Sequence, residues 1–429
     1  MNTATSPGTG PGATTSGSAG SGSATGRRDP LGFLADELAE LKRQNLYRPL
    51  RVMSSQQGPE IELDGRHVIN LSSNDYLGLT HHPRMKAAAL EAVREFGAGS
   101  GAVRTIIGTM TLHERLESEL AEFKHTEAVL TFQSGFTANT GVIPVVTGEQ
   151  DLILSDSLNH ASIIDGMRLS KAPRRVYPHK DVGALRELLR EAREKGRDGT
   201  GVPYRAILVV TDGVFSMDGD IAPLPGIVEA AEAYDAAVFV DDAHASGVLG
   251  RNGRGSVDHF GLNGRVAIQV GTLSKAVGVL GGYVAGSQVL RDMLIQRARP
   301  FLFSTSHPPA VAAACSEAIR IFQDEPALIE RLWTSTGRFK AELARLGFDT
   351  GVSETPITPV ILGDPGLTQR FSQRLFDEGV FGTSVIYPTV ALDKGRIRTI
   401  VTAAHSDAQL DRALEAFDRV GHELGVLAG

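Results

Sequence analysis

Cysteine is nearly absent from this 429-residue chain, which contains only Cys315. A single cysteine excludes an intrachain disulfide framework and a cysteine-rich metal site. The apolar runs are of strand length and fall far short of the ~20 residues that a membrane-spanning helix needs. The sequence therefore predicts no membrane partner, and a reducing, cytoplasmic setting fits it.

The chain also lacks a strong excess of either charge, since 43 basic and 50 acidic residues give a net charge of −7. Acidic and basic side chains are interspersed, which argues against a nucleic-acid partner or a membrane-surface protein. An apolar content of 41% over this length predicts a soluble globular protein with a large core and a second domain.

The N-terminal residues 1–28 have the composition of a disordered tail, being rich in Gly, Ser, Thr, Ala and Pro. The tail ends in two arginines, but an export signal would need an apolar segment after them. Three leucines instead follow at the spacing of an amphipathic helix: Leu34, Leu38 and Leu41. We therefore expect an N-terminal helix and strand segment over 29–75, with strands at 50–53 and 67–71.

From Leu152 onward, strand-like and helix-like segments alternate, which predicts a mostly parallel sheet with helices on both faces. A capping-box pattern over 111–114 predicts the start of an earlier helix. The pattern changes after about residue 308. The sequence therefore predicts a large domain over 76–307 and a smaller α/β domain over 308–429.

Polar clusters follow four strands of the predicted sheet. Three begin at Asn159, Thr211 and Asp241, and the fourth, after the buried strand 266–270, contains Lys275. Any one cluster has a structural explanation, such as a helix cap, a satisfied buried carboxylate or a tight turn. Four clusters at strand ends of one sheet would converge on one crevice, where ligands of open α/β sheets bind.

Lys275 lies between a buried strand and a glycine run. A lysine held among apolar and glycine neighbours can lose its proton and attack an aldehyde, which predicts a Schiff base. Asp241 and Asp242 are adjacent on an extended strand, so their side chains point to opposite faces. The sequence therefore predicts no metal site among them.

The strand 128–132 is followed by a turn with a glycine at its apex, Gln133-Ser134-Gly135-Phe136. Free N–H groups at a helix N-terminus bind phosphate, although a purely structural turn is the alternative. The turn matches neither the GxGxxG nor the GxxxxGK[ST] pattern, which disfavours a Rossmann or P-loop nucleotide-binding module.

Together these motifs resemble a known family. The segments 73–78, 159–162, 212–220, 241–244, 272–275 and 396–398 occur in the order and spacing of the α-oxoamine synthases. The resemblance runs from about residue 30 to the end of the chain. It implies an α/β protein of the aspartate-aminotransferase-like fold type I, with pyridoxal 5'-phosphate as cofactor and an amino acid and an acyl-CoA as substrates.

Within the family, the segments 102–109 and 158–168 and the aspartate at 212 resemble 2-amino-3-ketobutyrate CoA ligase (glycine C-acetyltransferase) and related broad-specificity enzymes. This resemblance implies condensation of glycine or a small amino acid with an acyl-CoA. The alternative is an 8-amino-7-oxononanoate synthase, which joins L-alanine to pimeloyl-CoA. An aminotransferase of the same fold and a non-catalytic partner subunit are the remaining alternatives, and the acyl chain stays open.

The resemblance also implies roles for cofactor-binding residues. Lys275 would form the Schiff base, Asp241 would pair with the ring nitrogen, and His160 would stack on the ring. His244 and Ser216 would approach the phenolic oxygen. The phosphate would be held by the backbone amides of Gly135 and Phe136 and by the Thr272 hydroxyl. Lys275, His160, Asp241 and His244 are the predicted catalytic residues.

For the substrate, the resemblance implies that Arg398 binds a carboxylate. The other expected substrate-binding residues are Asn74, His160, Thr389 and Arg48. The segment 303–306 resembles one that reaches the phosphate of a neighbouring subunit. A homodimer with shared sites is therefore expected.

Overall fold

The computed structural model of the protein describes residues 29–44, 46–47 and 49–428. The tail predicted over 1–28 and the expected substrate residue Arg48 lie outside the described residues. The chain divides into two compact units at Leu50. In the first unit the predicted amphipathic helix is confirmed as α1 (Phe33–Arg43), whose three leucines are exposed.

The second unit begins at Arg51 and contains three sheets and the remaining helices. Its strands are β1 (Glu60–Leu63), β2 (Arg66–Asn70), β3 (Ala128–Phe132), β4 (Leu152–Asp156), β5 (Arg174–Tyr177), β6 (Ile207–Asp212), β7 (Ala237–Asp241), β8 (Ile268–Thr272), β9 (Gly282–Gly286), β10 (Ile357–Gly363), β11 (Val380–Phe381), β12 (Thr383–Val385) and β13 (Gly395–Ile400).

The helices of this unit are α2 (Pro83–Phe96), α3 (Thr111–Lys124), α4 (Gly135–Val146), α5 (Ala161–Leu169), α6 (Val182–Lys195), α7 (Leu224–Ala233), α8 (Ser256–His259), α9 (Gln288–Arg297), α10 (Arg299–Leu302), α11 (Pro309–Asp324), α12 (Ala327–Leu346), α13 (Pro365–Asp377) and α14 (Asp407–Glu423).

The largest sheet has seven strands in the order β3-β9-β8-β7-β6-β4-β5. Only β9 runs antiparallel to its neighbours, so the predicted mostly parallel sheet is confirmed. Alternate residues of one strand enter different cores: Leu152 and Leu154 pack on one face, whereas Ile153 packs on the other. Burial on both faces explains why these strands read as continuous apolar runs.

Two smaller sheets complete the unit, in the orders β1-β2-β11 and β10-β13-β12. The antiparallel pairing of β10 with β13 places Arg398 opposite Pro359. A third core, which includes Phe339, Phe371 and Phe417, packs around these elements. The domain boundaries expected near residues 75 and 307 stay predictions. No helix in the described part of the chain combines the length and apolar character that a membrane span requires.

Two local predictions were wrong. The strand expected over 50–53 is reduced to a single bridge between Met53 and Leu63. The capping box expected over 111–114 is also absent, because Thr111 is already the first residue of α3. The Nδ1 atom of His113 instead accepts a hydrogen bond from the backbone N–H of Met110 at 3.0 Å. The His113 imidazole therefore forms the capping bond that was predicted for the Glu114 carboxylate.

Candidate active site

The carboxyl ends of β6, β7 and β8 bring charged side chains together, as predicted. Asp212 and Asp241 are register partners on neighbouring strands, and Lys275 follows β8 by three residues. Burial lowers the pKa of Lys275 to about 8, although the carboxylates of Asp241 and Asp212 oppose this shift. The Arg398 guanidinium also lowers it. Lys275 is therefore an amine that can be neutral near physiological pH.

A chain of short hydrogen bonds links Asp241 to His160. Asn139 Nδ2 donates to Asp241 Oδ2 at 2.6 Å and to Ser162 Oγ at 2.8 Å. Ser162 Oγ lies 2.7 Å from His160 Nδ1. Because Ser162 accepts from Asn139, its own proton is free for Nδ1, which leaves the ring proton of His160 on Nε2. If the Asn139 amide were flipped, its oxygen would face the Asp241 carboxylate, and two acceptors cannot form a hydrogen bond.

His160 also occupies the N-cap position of α5, and its backbone N–H donates to Asp212 Oδ2 at 2.8 Å. Burial lowers the pKa of His160, and the Lys275 charge lowers it further, while Asp241 raises it. Burial and the nearby Asp241 charge raise the pKa of Asp212 well above its ordinary value. The site therefore holds its histidine neutral and disfavours a second ionised carboxylate beside Asp241.

His244 is a second histidine of the candidate site and is buried, and its Nδ1 lies 2.7 Å from the hydroxyl oxygen of Tyr76. Burial lowers the pKa of His244 well below its ordinary value, and the Lys275 and Arg398 charges act in the same direction. The pKa of Tyr76 is raised by burial. A neutral imidazole accepting from a protonated phenol is the state that both shifts favour.

Arg398 on β13 is held by two other segments of the chain. Its Nε donates to the backbone oxygen of Ser216 at 2.6 Å, and its two terminal nitrogens lie 3.5 and 3.4 Å from Asn74 Oδ1. Burial lowers its pKa. Among the described residues no carboxylate forms an ion pair with it, and a half-buried arginine in this state suits a carboxylate ligand.

The turn after β3 forms a possible phosphate cradle. Ser134 is the N-cap of α4, and the N–H groups of Gly135 and Phe136 belong to the first turn, where no intrahelical partner exists. A Cβ atom at Gly135 would lie 3.4 Å from Thr272 Cβ. The Thr272 hydroxyl donates to the backbone oxygen of Gly281 at 2.9 Å. The free N–H groups of the first turn thus lie beside the Thr272 side chain.

Of the expected substrate-binding residues, Thr389 lies beside rather than within this group. It lines a cavity that Ser216 also lines. Four residues were not predicted as site members, although each lies within or beside a quoted motif: Tyr76, Asn139, Ser162 and Asp212. Asn139 stands four positions after Gly135 on α4, a spacing that places both on one helix face and could have indicated it.

The comparisons with known proteins agree with this arrangement. Residues 66–417 match the family "Aminotransferase class I and II". An 8-amino-7-oxononanoate synthase of Symbiobacterium thermophilum is 61% identical over 395 residues, which cover 92% of this chain and 99% of that protein. The 8-amino-7-oxononanoate synthase 1 of Bacillus subtilis is 55% identical, covering 92% of this chain and 98% of its own.

Solved structures show the same fold. A serine palmitoyltransferase from S. paucimobilis has a TM-score of 0.86 and 32% identity, covering 93% of this chain and 100% of that one. An 8-amino-7-oxononanoate synthase from Francisella tularensis has a TM-score of 0.68 and 27% identity, covering 83% and 98%.

The fold and the site define a pyridoxal-phosphate-dependent enzyme of fold type I. More narrowly, the chain belongs to the α-oxoamine synthase family, whose relatives include 8-amino-7-oxononanoate synthases and serine palmitoyltransferases. The predicted family, fold class and cofactor are thereby confirmed.

The residues of this chain also fit the cofactor chemically. An aldehyde needs an amine that can lose its proton, and the pKa of Lys275 is lowered to about 8. A protonated ring nitrogen needs a buried acid, and Asp241 is buried. A phosphate needs free N–H donors, which the first turn of α4 supplies.

Proposed function

We propose that the protein is an 8-amino-7-oxononanoate synthase, which joins L-alanine to pimeloyl-CoA and releases CoA and CO₂. The proposal is carried by the 61% identity over 395 residues to the Symbiobacterium enzyme of that name. It adopts the alternative of the sequence analysis in preference to 2-amino-3-ketobutyrate CoA ligase. The relatives at 55% and 57% identity that carry the same name support the same choice.

When bound, pyridoxal phosphate supplies an aldehyde and a ring that accepts electrons from the α-carbon of an amino acid. In this proposal Lys275 would hold the aldehyde and Asp241 would keep the ring nitrogen protonated. His160 would lie against the ring as a neutral imidazole, because burial lowers its pKa and the bonds from Asn139 to Ser162 and from Ser162 to Nδ1 leave its proton on Nε2.

The remaining proposed contacts are to the phenolic oxygen and the phosphate of the cofactor. His244, oriented by Tyr76, and Ser216 would approach the phenolic oxygen. Thr272 and the first-turn amides of Gly135 and Phe136 would hold the phosphate.

Arg398 and Asn74 would bind the carboxylate of the amino acid. Arg398 is already oriented by the backbone oxygen of Ser216, so its two terminal nitrogens are presented together. A planar pair of donors matches a carboxylate better than a lysine would. Substrate binding would therefore cost little reorganisation of this side chain.

Lys275 is the proposed base. Once the amine of alanine has replaced it on the aldehyde, Nζ of Lys275 would be free. With a pKa of about 8, a substantial fraction of this amine is neutral near physiological pH, so Nζ could take the α-proton of alanine. The α-carbon then bonds to the thioester carbonyl carbon, and the C–S bond breaks to release CoA. The carboxylate leaves as CO₂, and a proton returned to the same carbon completes the ketone product.

The test is a comparison of kcat/KM for two substrate pairs, L-alanine with pimeloyl-CoA and glycine with acetyl-CoA, by release of free CoA. We expect the first pair to be preferred and mass spectrometry to identify 8-amino-7-oxononanoate. The second pair is the candidate that the aspartate at position 212 and the segment 102–109 favour. Preference for that pair would overturn the proposal, and amine transfer without CoA release would indicate an aminotransferase.

We also propose a homodimer in which the segment 303–306 reaches the site of the partner subunit. The side chain of Phe303 is exposed, as are those of Ile106 and Ile107, and large exposed apolar side chains are typical of interfaces. Thr305 forms a bridge with Val103, which connects these two segments. Sedimentation of the holoenzyme should give twice the chain mass, and a monomer would contradict this.

A further inference from the structure

A cavity of about 300 Å³ adjoins the proposed carboxylate-binding group. It lies between the loop that follows β6 and the residues that precede β13. Its apolar walls are formed by Leu158, Phe215, Met217, Val390 and Ala391. Ser216, whose backbone oxygen holds Arg398, lines the same cavity, so the cavity and the arginine share one loop.

Two cationic side chains also line this cavity, and they differ in how they are neutralised. Arg396 is buried and donates to the Asp218 carboxylate at 2.6 Å and to the backbone oxygen of Met217 at 3.0 Å. Lys394 is exposed, and it forms no ion pair with any residue in the described ranges. Lys394 is thus the cation of this cavity that remains free to bind an anion.

The separation between Lys394 and Arg398 limits how far apart two anionic groups of one ligand can lie if both are bound. Lys394 directly precedes β13, where its backbone N–H donates to the Ala391 oxygen at 3.0 Å, and Arg398 lies four residues further along the chain. Four residues span at most about 14 Å between Cα atoms. A ligand with two anionic groups about 10 Å apart fits within this span.

The product named by the relatives has a matching geometry. In 8-amino-7-oxononanoate the carboxylate is carbon 1 and the ketone is carbon 7, so the acyl group supplies carbons 1–7 and carries a free carboxylate. Before CO₂ leaves, the condensed species has two carboxylates separated by eight bonds. At ~1.2 Å per bond in an extended chain, this is about 10 Å.

We propose that Lys394 binds the terminal carboxylate of the acyl chain, with its methylenes against the apolar walls of the cavity. This inference rests on the proposed function and adds to it the residue that selects acyl thioesters with a free terminal carboxylate. Neutral acyl chains of equal length lose the contact with Lys394. Short acyl chains reach neither the apolar walls nor the lysine.

The experiment measures the ratio of kcat/KM for pimeloyl-CoA to kcat/KM for heptanoyl-CoA, which has the same length and no terminal carboxylate. The holoenzyme is compared with Lys394→Arg, Lys394→Met and Lys394→Glu, with L-alanine saturating. We expect the ratio to be kept in the arginine variant, to fall about fivefold in the methionine variant and to fall further in the glutamate variant. Lys171→Met removes an exposed lysine that does not line the cavity and should leave the ratio unchanged.

The salt dependence gives a second readout. Raising the ionic strength should lower the ratio of the unsubstituted enzyme and leave that of Lys394→Met unchanged, because salt screens an exposed ion pair. If the enzyme turns over pimeloyl-CoA but Lys394→Met and Lys394→Glu keep the original ratio, the inference fails and the proposed function stands. If the enzyme does not use pimeloyl-CoA with L-alanine, both fail.

Discussion

His179 is held between two carboxylates near the strand ends of the large sheet, and its removal gives a pH-dependent loss of stability. Its Nδ1 lies 3.0 Å from Asp156 Oδ1, and its Nε2 lies 2.9 Å from Asp220 Oδ2. Both ring nitrogens can donate only in the protonated form. Burial alone would lower the pKa of His179, but the two carboxylates outweigh it and raise the pKa to about 9.

The magnitude follows from this shift. A rise from the ordinary value of 6.5 to about 9 corresponds to at most about 3.4 kcal/mol of stability. The ring is partly solvated, and Lys180 Nζ competes for Asp220 at 3.1 Å, so we expect about 1–2 kcal/mol. Because the folded-state pKa is raised, this stability is fully present below about pH 6.5. It is lost as the pH rises through about 9.

The assay is urea unfolding of the holoenzyme and of His179→Gln at pH 6 and pH 10, with circular dichroism as the measure of unfolding. The difference in unfolding free energy should be about 1–2 kcal/mol at pH 6 and much smaller at pH 10. His67→Gln, at an exposed histidine, should change stability by less than about 0.5 kcal/mol at both pH values. A His179→Gln difference that is the same at both pH values would refute the reasoning.

Two further substitutions test the cradle and the core. In Gly282→Ala the new Cβ would overlap the backbone oxygen of Ser134, so the affinity for pyridoxal phosphate in a spectroscopic titration should fall about tenfold or more. The control is Gly337→Ala, whose new Cβ meets nothing within 4 Å and which should bind the cofactor normally. Equal affinities of the two variants would contradict the proposed phosphate cradle. The Asp242 carboxylate is 0% exposed and lies 2.9 Å from Lys124 Nζ, so Lys124→Met removes its buried partner. Urea unfolding should show a loss of about 3–5 kcal/mol in the free energy of unfolding. A loss below about 1 kcal/mol would count against this pairing.

Much of the large sheet could be predicted because its strands are buried on both faces and bounded by turn residues. The strand predicted over 128–132 coincides with β3. The strand predicted over 266–270 is displaced to Ile268–Thr272, because glycine and threonine can extend a ladder whose neighbours supply the hydrogen bonds. The expected strand over 50–53 failed because β1 meets it only at Met53.

The charged site residues at strand ends could be predicted from the sequence. The residues that join the site through contacts between distant parts of the chain were missed. Asp241 is the last residue of β7 and Lys275 follows the neighbouring β8, so the sheet topology alone brings them together. Tyr76 reaches His244 across 168 residues, and Asn139 reaches Asp241 across 102 residues. No local spacing encodes such contacts, because they depend on how distant loops and helices pack against the sheet.

The central claim is that Lys275 holds pyridoxal phosphate. Borohydride reduction of the holoenzyme, followed by digestion and mass spectrometry, locates the lysine that carries the reduced pyridoxyl group. The account predicts the modification at Lys275 in the unsubstituted protein and its loss in Lys275→Ala. Modification at another lysine, or an unmodified Lys275 after saturation with the cofactor, would contradict it.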